Sequence, residues 1–164
     1  MGLENMEKIT DMETKKVTFQ VLGTAIFKIT RKDGSVVTHT IKNLVTTWGL
    51  STLAAALAGT AINPNINYLA LGSGSTAATE SDTSLETETN RDLATVTHLT
   101  GADSHKTEFN KAWAEGAITG TFREAGLFDA AAAGNMFNRN VFAEITVAVT
   151  DTFEVTWIVE FKNV

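Results

Sequence analysis

The sequence predicts a mainly β protein, an antiparallel β-sandwich carrying one short crossover helix, and three observations support this. Apolar residues recur at every second position in long runs near both ends of the chain, over 17–29 and over 141–161. A single stretch, about 47–58, instead shows helical spacing. Many strands, one helix and turn-forming residues between them belong to two packed antiparallel sheets rather than to a parallel α/β fold.

Taken in order, residues 1–16 hold four acids and three lysines among few apolar residues with no sustained period, and are expected to be a flexible or partner-ordered arm. One sandwich domain, 17–164, should follow. In its first strand Val17, Phe19, Val21, Gly23, Ala25, Phe27 and Ile29 share one parity. A three-residue loop, Lys32-Asp33-Gly34 with Gly34 at positive φ, sets Ile29, Phe27 and Ala25 opposite Val37, His39 and Ile41. A two-residue loop would mismatch the faces. His39 then becomes a partly buried sheet residue with a structural role.

In 47–58, Leu50, Leu53, Ala54 and Leu57 fall at i, i+3, i+4 and i+7, with Thr46 or Thr47 as cap and Gly59 as terminator. Pro64 and neighbouring asparagines make a loop. "INYLALGSGSTA" is a short apolar strand leaving through Gly72 and Gly74 into an acidic stretch, 75–92, long enough that part should fold back or form a turn around Leu85. Leu93, Thr95, Thr97 and Leu99 alternate; Phe109 and Trp113 follow, then Ile118, Gly120 and Phe122 leading into "REAGLFD". The alternating runs of 141–149 and 153–161 are expected to close the fold as a hairpin around Thr150-Asp151.

With 164 residues the chain suffices for one hydrophobic core; hydrophobic residues are 43% and charged residues 20%, a globular composition. Net charge is −6 and no basic run exceeds Lys15-Lys16, which argues against nucleic acid as a partner. There is no cysteine, so disulfides, thiolate metal sites and cysteine nucleophiles are excluded. The N-terminus lacks the pattern of a signal peptide, Met6 stands where myristoylation wants Ser or Thr, and no apolar stretch approaches a membrane span. A soluble protein made in the cytoplasm, with no membrane partner, is expected.

Chemistry-bearing motifs are sparse. "LGSGST" lacks GK[ST] and a following helix, and does not fit G-x-S-x-G, so it reads as a plain turn. His39, His98 and His105 have no ligand spacing, although His98, Asp103 and His105 share one hairpin-like region. The acids of 80–92 lack the order of a calcium loop. Arg123 and Glu124 are adjacent on a strand, so their side chains leave on opposite faces and do not form an acid/base pair; one can reach a buried partner or pin a bulge at Ala125-Gly126. No catalytic residue, cofactor site or metal site is assigned.

Three stretches in order, "NLVTTWGLSTLAAALAG" (43–59), "INYLALGSGSTAATESDTSLETETNR" (66–91) and "GTFREAGLFDAAAAGNMFNRNVFAEITVAVTDTFEVTWIVEF" (120–161), carry a resemblance. They are similar to an Asn-Leu-Val approach to a helix, a Leu-Gly-x-Gly turn with a following Asp-x-x-Leu and Arg, a Glu-x-Gly-Leu-Phe-Asp segment and a closing Thr-Trp-x-x-x-Phe strand. In these the chain resembles small β-rich structural proteins of tailed bacteriophages, of the tail-fibre, tail-collar or baseplate-associated type. The resemblance implies a non-enzymatic virion component, with Arg123 and Glu124 in a structural segment. Tail-fibre proteins with such a module continue into a shaft, whereas this chain stops just after Phe161; an accessory subunit at tail, collar or baseplate, or a capsid decoration protein, is the expectation.

Such a subunit would contact copies of itself, with a trimer as the candidate state, and other virion proteins. Candidate interface residues are Met1, Leu3, Met6, Ile9 and Met12 of the arm, ordered on a neighbouring subunit, and Phe128 and Met136 flanking the Ala-rich connector. Phe128 and Met136 fit a core position equally well. Two other classes compete. A carbohydrate-binding module would expose Trp48, Trp113 or Trp157, of which Trp48 and Trp157 are expected to be buried. An enzyme would need clustered carboxylates, such as Glu144 and Glu154 facing each other across the last hairpin.

Overall fold

The computed structural model describes residues 19–60 and 65–163. The arm candidates Met1, Leu3, Met6, Ile9 and Met12, and the Pro64 loop assignment, lie outside the described residues. Among the described residues, ten strands form two five-stranded antiparallel sheets. The first comprises β2 (Val36–Lys42), β1 (Phe19–Thr30), β10 (Thr152–Asn163), β7 (Lys106–Trp113) and β6 (Thr95–His98), in that order. The second comprises β3 (Leu44–Val45), β9 (Met136–Val147), β8 (Gly120–Phe128), β4 (Tyr68–Gly72) and β5 (Glu88–Leu93).

The β1–β2 hairpin has the expected register, with Ile29, Phe27 and Ala25 opposite Val37, His39 and Ile41. Its loop closes through the Arg31 amide donating to the Ser35 carbonyl and the Gly34 amide to the Arg31 carbonyl. Gly34 sits at φ +83°, where a Cβ would be strained.

Between the sheets, Phe27, Phe153, Val155 and Trp157 of the first sheet meet Leu69, Phe122, Leu127 and Ile145 of the second. Phe153 lies at the centre of an aromatic stack, its ring 5.6 Å from Trp113, 5.9 Å from Phe122 and 6.3 Å from Phe27.

The closing strands correct one expectation. β9 and β10 do not pair: the connection after Val147 crosses from one sheet to the other, and β10 lies between β1 and β7. Alternation specifies that each strand has a buried face, but two alternating strands can share a sheet or face each other across the core. The chain crosses likewise between β5 and β6 at buried Ala94.

The helix α1 (Thr47–Leu57) is capped by Thr46, whose hydroxyl accepts from the Gly49 amide at 3.1 Å, and Gly59 follows at φ +66°. It meets the fold through its first turn and through Leu53. A Cβ on Gly49 would lie 2.3 Å from the Phe137 carbonyl oxygen, so only glycine allows this approach. The face carrying Leu50 and Leu57 stays exposed.

A second, smaller cluster lies on the far side of the second sheet, where Ala70, Phe128 and Met136 are capped by Leu85. Phe128 and Met136 are each only 1% exposed, which removes both as interface residues in favour of the core alternative. The 73–87 connection folds back over this face, as the placement of Leu85 anticipates, and the Arg91 guanidinium lies 3.6 Å over the Phe128 ring.

Candidate functional site

The densest group of charges forms where the fold-back crosses β8 and β9. Glu124 on β8 is fully buried and Arg139 on β9 is 3% exposed. Their strands pair, with Gly126 opposite Arg139 and Glu124 opposite Val141, which puts the two side chains on the same side of the sheet two positions apart along it. Arg139 Nε and Nη2 donate to Glu124 Oε2 at 3.1 and 2.8 Å. The other donors come from the connection: the Gly74 and Thr87 amides reach Glu124 Oε1 at 3.0 and 2.7 Å, and the Glu86 amide reaches Oε2 at 3.0 Å. Five donors therefore converge on one carboxylate, which offsets its loss of water.

The outer bonds extend the clamp. Arg139 Nη1 donates to Asp82 Oδ2 at 2.7 Å, and Asp82 also accepts from the Thr79 amide and hydroxyl. Glu86 takes the Ser75 and Thr76 amides, both at 2.8 Å, and the Thr76 hydroxyl. Desolvation acts to raise the Asp82 carboxyl, and the Thr79 amide and hydroxyl with Arg139 outweigh it, so its pKa falls below the ordinary value. The Thr76 amide and hydroxyl likewise lower Glu86. Burial acts against the Arg139 charge, and the bonds to Asp82 and Glu124 outweigh it, leaving its pKa raised.

The glycines of "LGSG" serve close approach. A Cβ on Gly72 would stand 2.5 Å from the Thr87 carbonyl oxygen, and one on Gly74 2.5 Å from Glu124 Oε1. The turn does present an amide to an anion, as glycine-rich loops present theirs to phosphate, but the anion is the chain's own Glu124.

Arg123 goes elsewhere, to an exposed ion pair with Glu144. Arg123 and Glu124 thus part as expected, one to the surface and one to a buried partner. The register shifts fall between Phe122 and Glu124 and between Leu127 and Phe128 rather than at Ala125-Gly126.

The remaining candidates do not gather. Glu144 and Glu154 are on different sheets, so they do not face each other across a hairpin; Glu154 accepts from Asn110 and lies 3.6 Å from Lys28. His98 Nε2 meets the Ser104 carbonyl, His105 Nε2 meets Glu160, and Asp103 accepts from Lys106. Among the described residues no three His, Cys, Asp or Glu are placed to share a metal ion. Trp157 is fully buried and Trp113 is 6% exposed, its Nε1 donating to Asp92; Trp48 is half-buried against the core.

An open cleft of about 450 Å³ adjoins the clamp, lined in part by Lys42, Asn43, Ser75, Arg139 and Asn140. Arg139 spends its donors inward on Glu124 and Asp82, so the cleft receives no free guanidinium. Asn43 projects over Gly23, where a Cβ would overlap its amide.

Arg139 is the residue that sequence reasoning missed. Its signal is a lone cation inside "NMFNRNVF", on the same face as the lone acid of "REAGLF" and two positions along from it once β8 and β9 are paired. No protein-family model matches the chain, and neither a curated protein nor a solved structure was found to match it.

Proposed function

We propose that the chain is a non-enzymatic structural subunit of a tailed bacteriophage virion, an accessory component docked on the tail, collar or baseplate through protein–protein contacts. The observation that carries the reading is the use to which the densest charged group is put. Glu124, Arg139, Asp82 and Glu86 are bonded to one another and to the 73–87 backbone, so they hold a surface in shape instead of presenting groups to a substrate. The ordered resemblance of 43–161 to phage structural proteins supports the same role.

Self-association fits the sheet edges. β2 and β6 are the edge strands of the first sheet, and Val36, Val37 and Val96 on them are exposed, an arrangement that favours strand-to-strand contact between copies. A trimer is the candidate state. The carbohydrate-binding alternative loses its aromatic platform with Trp113 and Trp157 buried.

Quantitative mass spectrometry of purified particles tests the proposal. A copy number at a small multiple of three or six supports tail, collar or baseplate, whereas parity with the major capsid protein supports the alternative of capsid decoration. Absence from intact particles overturns the virion reading.

A further inference from the structure

Of the leucines of α1 that share one helical face, Leu53 leans on the core while Leu50 and Leu57 stay exposed. Leu50, Leu53 and Leu57 form one wall of a groove whose other wall is Phe19 and Val21 of β1 and Phe161 of β10. It encloses about 520 Å³, and every residue that lines it is apolar. Phe19 is 54% exposed and Leu57 89% exposed, although the Phe19 ring already stacks on Phe161 at 5.8 Å. A continuous apolar face of this kind calls for a cover.

We propose that the groove is the seat of the chain's own N-terminal segment, with Leu3, Met6, Ile9 and Met12 laid between α1 and the end of the β1–β10 pair that carries Phe19 and Phe161. The segment joins the described fold at Phe19, which is itself a wall of the groove. Leu3, Met6, Ile9 and Met12 recur at every third position. At about 100° per residue that spacing keeps them within about half the circumference of a helix, while Glu4, Glu7, Lys8 and Asp11 take the other half. The chain between Met12 and Phe19 is long enough to turn back, since six residues span up to about 20 Å.

Tethering decides between this segment and its copy on another chain. A short linker holds its own segment at an effective concentration on the order of millimolar, well above that of a second copy in dilute solution. The groove therefore offers the segment a nearer acceptor than a neighbouring subunit. This inference is independent of the virion assignment and stands or falls on the isolated chain.

Because the chain has no cysteine, disulfide trapping is clean. Full-length double variants would carry Leu57→Cys with Met6→Cys, Ile9→Cys or Met12→Cys; exposed Leu57 can be replaced without touching the core. The control pairs the same positions with Val149→Cys, which is 62% exposed in the connection at the opposite end of β10 from Phe161. Under mild oxidation the expected result is a disulfide within one chain, forming about tenfold faster at Leu57 than at Val149 for at least one of the three positions. Equal rates at both sites, or no trapping at either, would overturn the proposal. A disulfide joining two chains would overturn it in favour of a second copy as the occupant.

Discussion

The two sheets bury their residues in different ways. In the first sheet, β1 and β10 alternate buried and more exposed residues through most of their length, as strands with one wet face do. In the second, β4, β8 and the first half of β9 are buried almost continuously, because the 73–87 connection lies over their outer side. The difference teaches that one connection, held by a carboxylate and a guanidinium, turns an ordinary sheet into the middle layer of three. A polar clamp can serve there because backbone amides, unlike leucines, must be satisfied on the way in.

Breaking the clamp should have the largest effect. Arg139→Met leaves buried Glu124 without its counter-charge, and a loss of about 3–5 kcal/mol in chemical denaturation is expected. A loss under about 1 kcal/mol would mean that the three amides alone stabilise the carboxylate. Leu85→Ala removes the apolar plug of the small outer cluster and should cost about 2 kcal/mol, the low end for such truncations. In both variants, amide exchange at Gly74, Glu86 and Thr87 should quicken before that of the β1–β10 ladder.

A milder test works through pH. Asp82 and Glu86 have folded-state pKa values below their ordinary values of 3.8 and 4.5. Their contribution is therefore fully present above the unfolded values and is lost as pH falls through the folded ones. Exchange-based protection of 74–87 should hold from pH 7 to about 5 and drop as the solution is taken below about 4, ahead of the first sheet. Simultaneous loss in both sheets would show that the connection is not a separate unit.

The first sheet supplies the small effects. Gly34→Ala meets no neighbouring atom within 4 Å, so its cost is backbone strain alone, about 1 kcal/mol. Thr38→Ala, on the wet side of the edge strand β2, should change stability by no more than about 0.5 kcal/mol. A larger change at Thr38 would indicate that this face is covered in solution by another copy.

Where one face is wet, the sequence was legible. Alternation and the Asp33-Gly34 turn were enough to place the β1–β2 register residue by residue, and Thr46 and Gly59 bounded α1. Legibility failed where burial is two-sided or where a contact is remote. β5 was hidden in an acidic stretch because its polar residues are committed individually, Arg91 to Glu88 and Asp92 to Trp113. Phe128 and Met136 looked available for contacts because nothing local announces that Leu85, more than forty positions away, covers them. Glu124 was noticed as a charge on a strand, but its partner could be named only once β8 and β9 were paired. The spacing of Leu50, Leu53 and Leu57 marked a helix correctly and left open what the helix faces.

The place of β10 has a consequence for how the molecule comes into being. Its partners are β1, which starts at Phe19, and β7, so the middle of the first sheet stays empty until the last dozen residues of the fold are available. A nascent chain emerging from the ribosome can form the β1–β2 hairpin early, but it must hold the apolar face of β1 without its principal neighbour until Asn163 appears. Folding should then be slow, in the millisecond-to-second range of sheets built from distant strands, and loss of the whole of β10 would leave β1 and β7 with nothing between them.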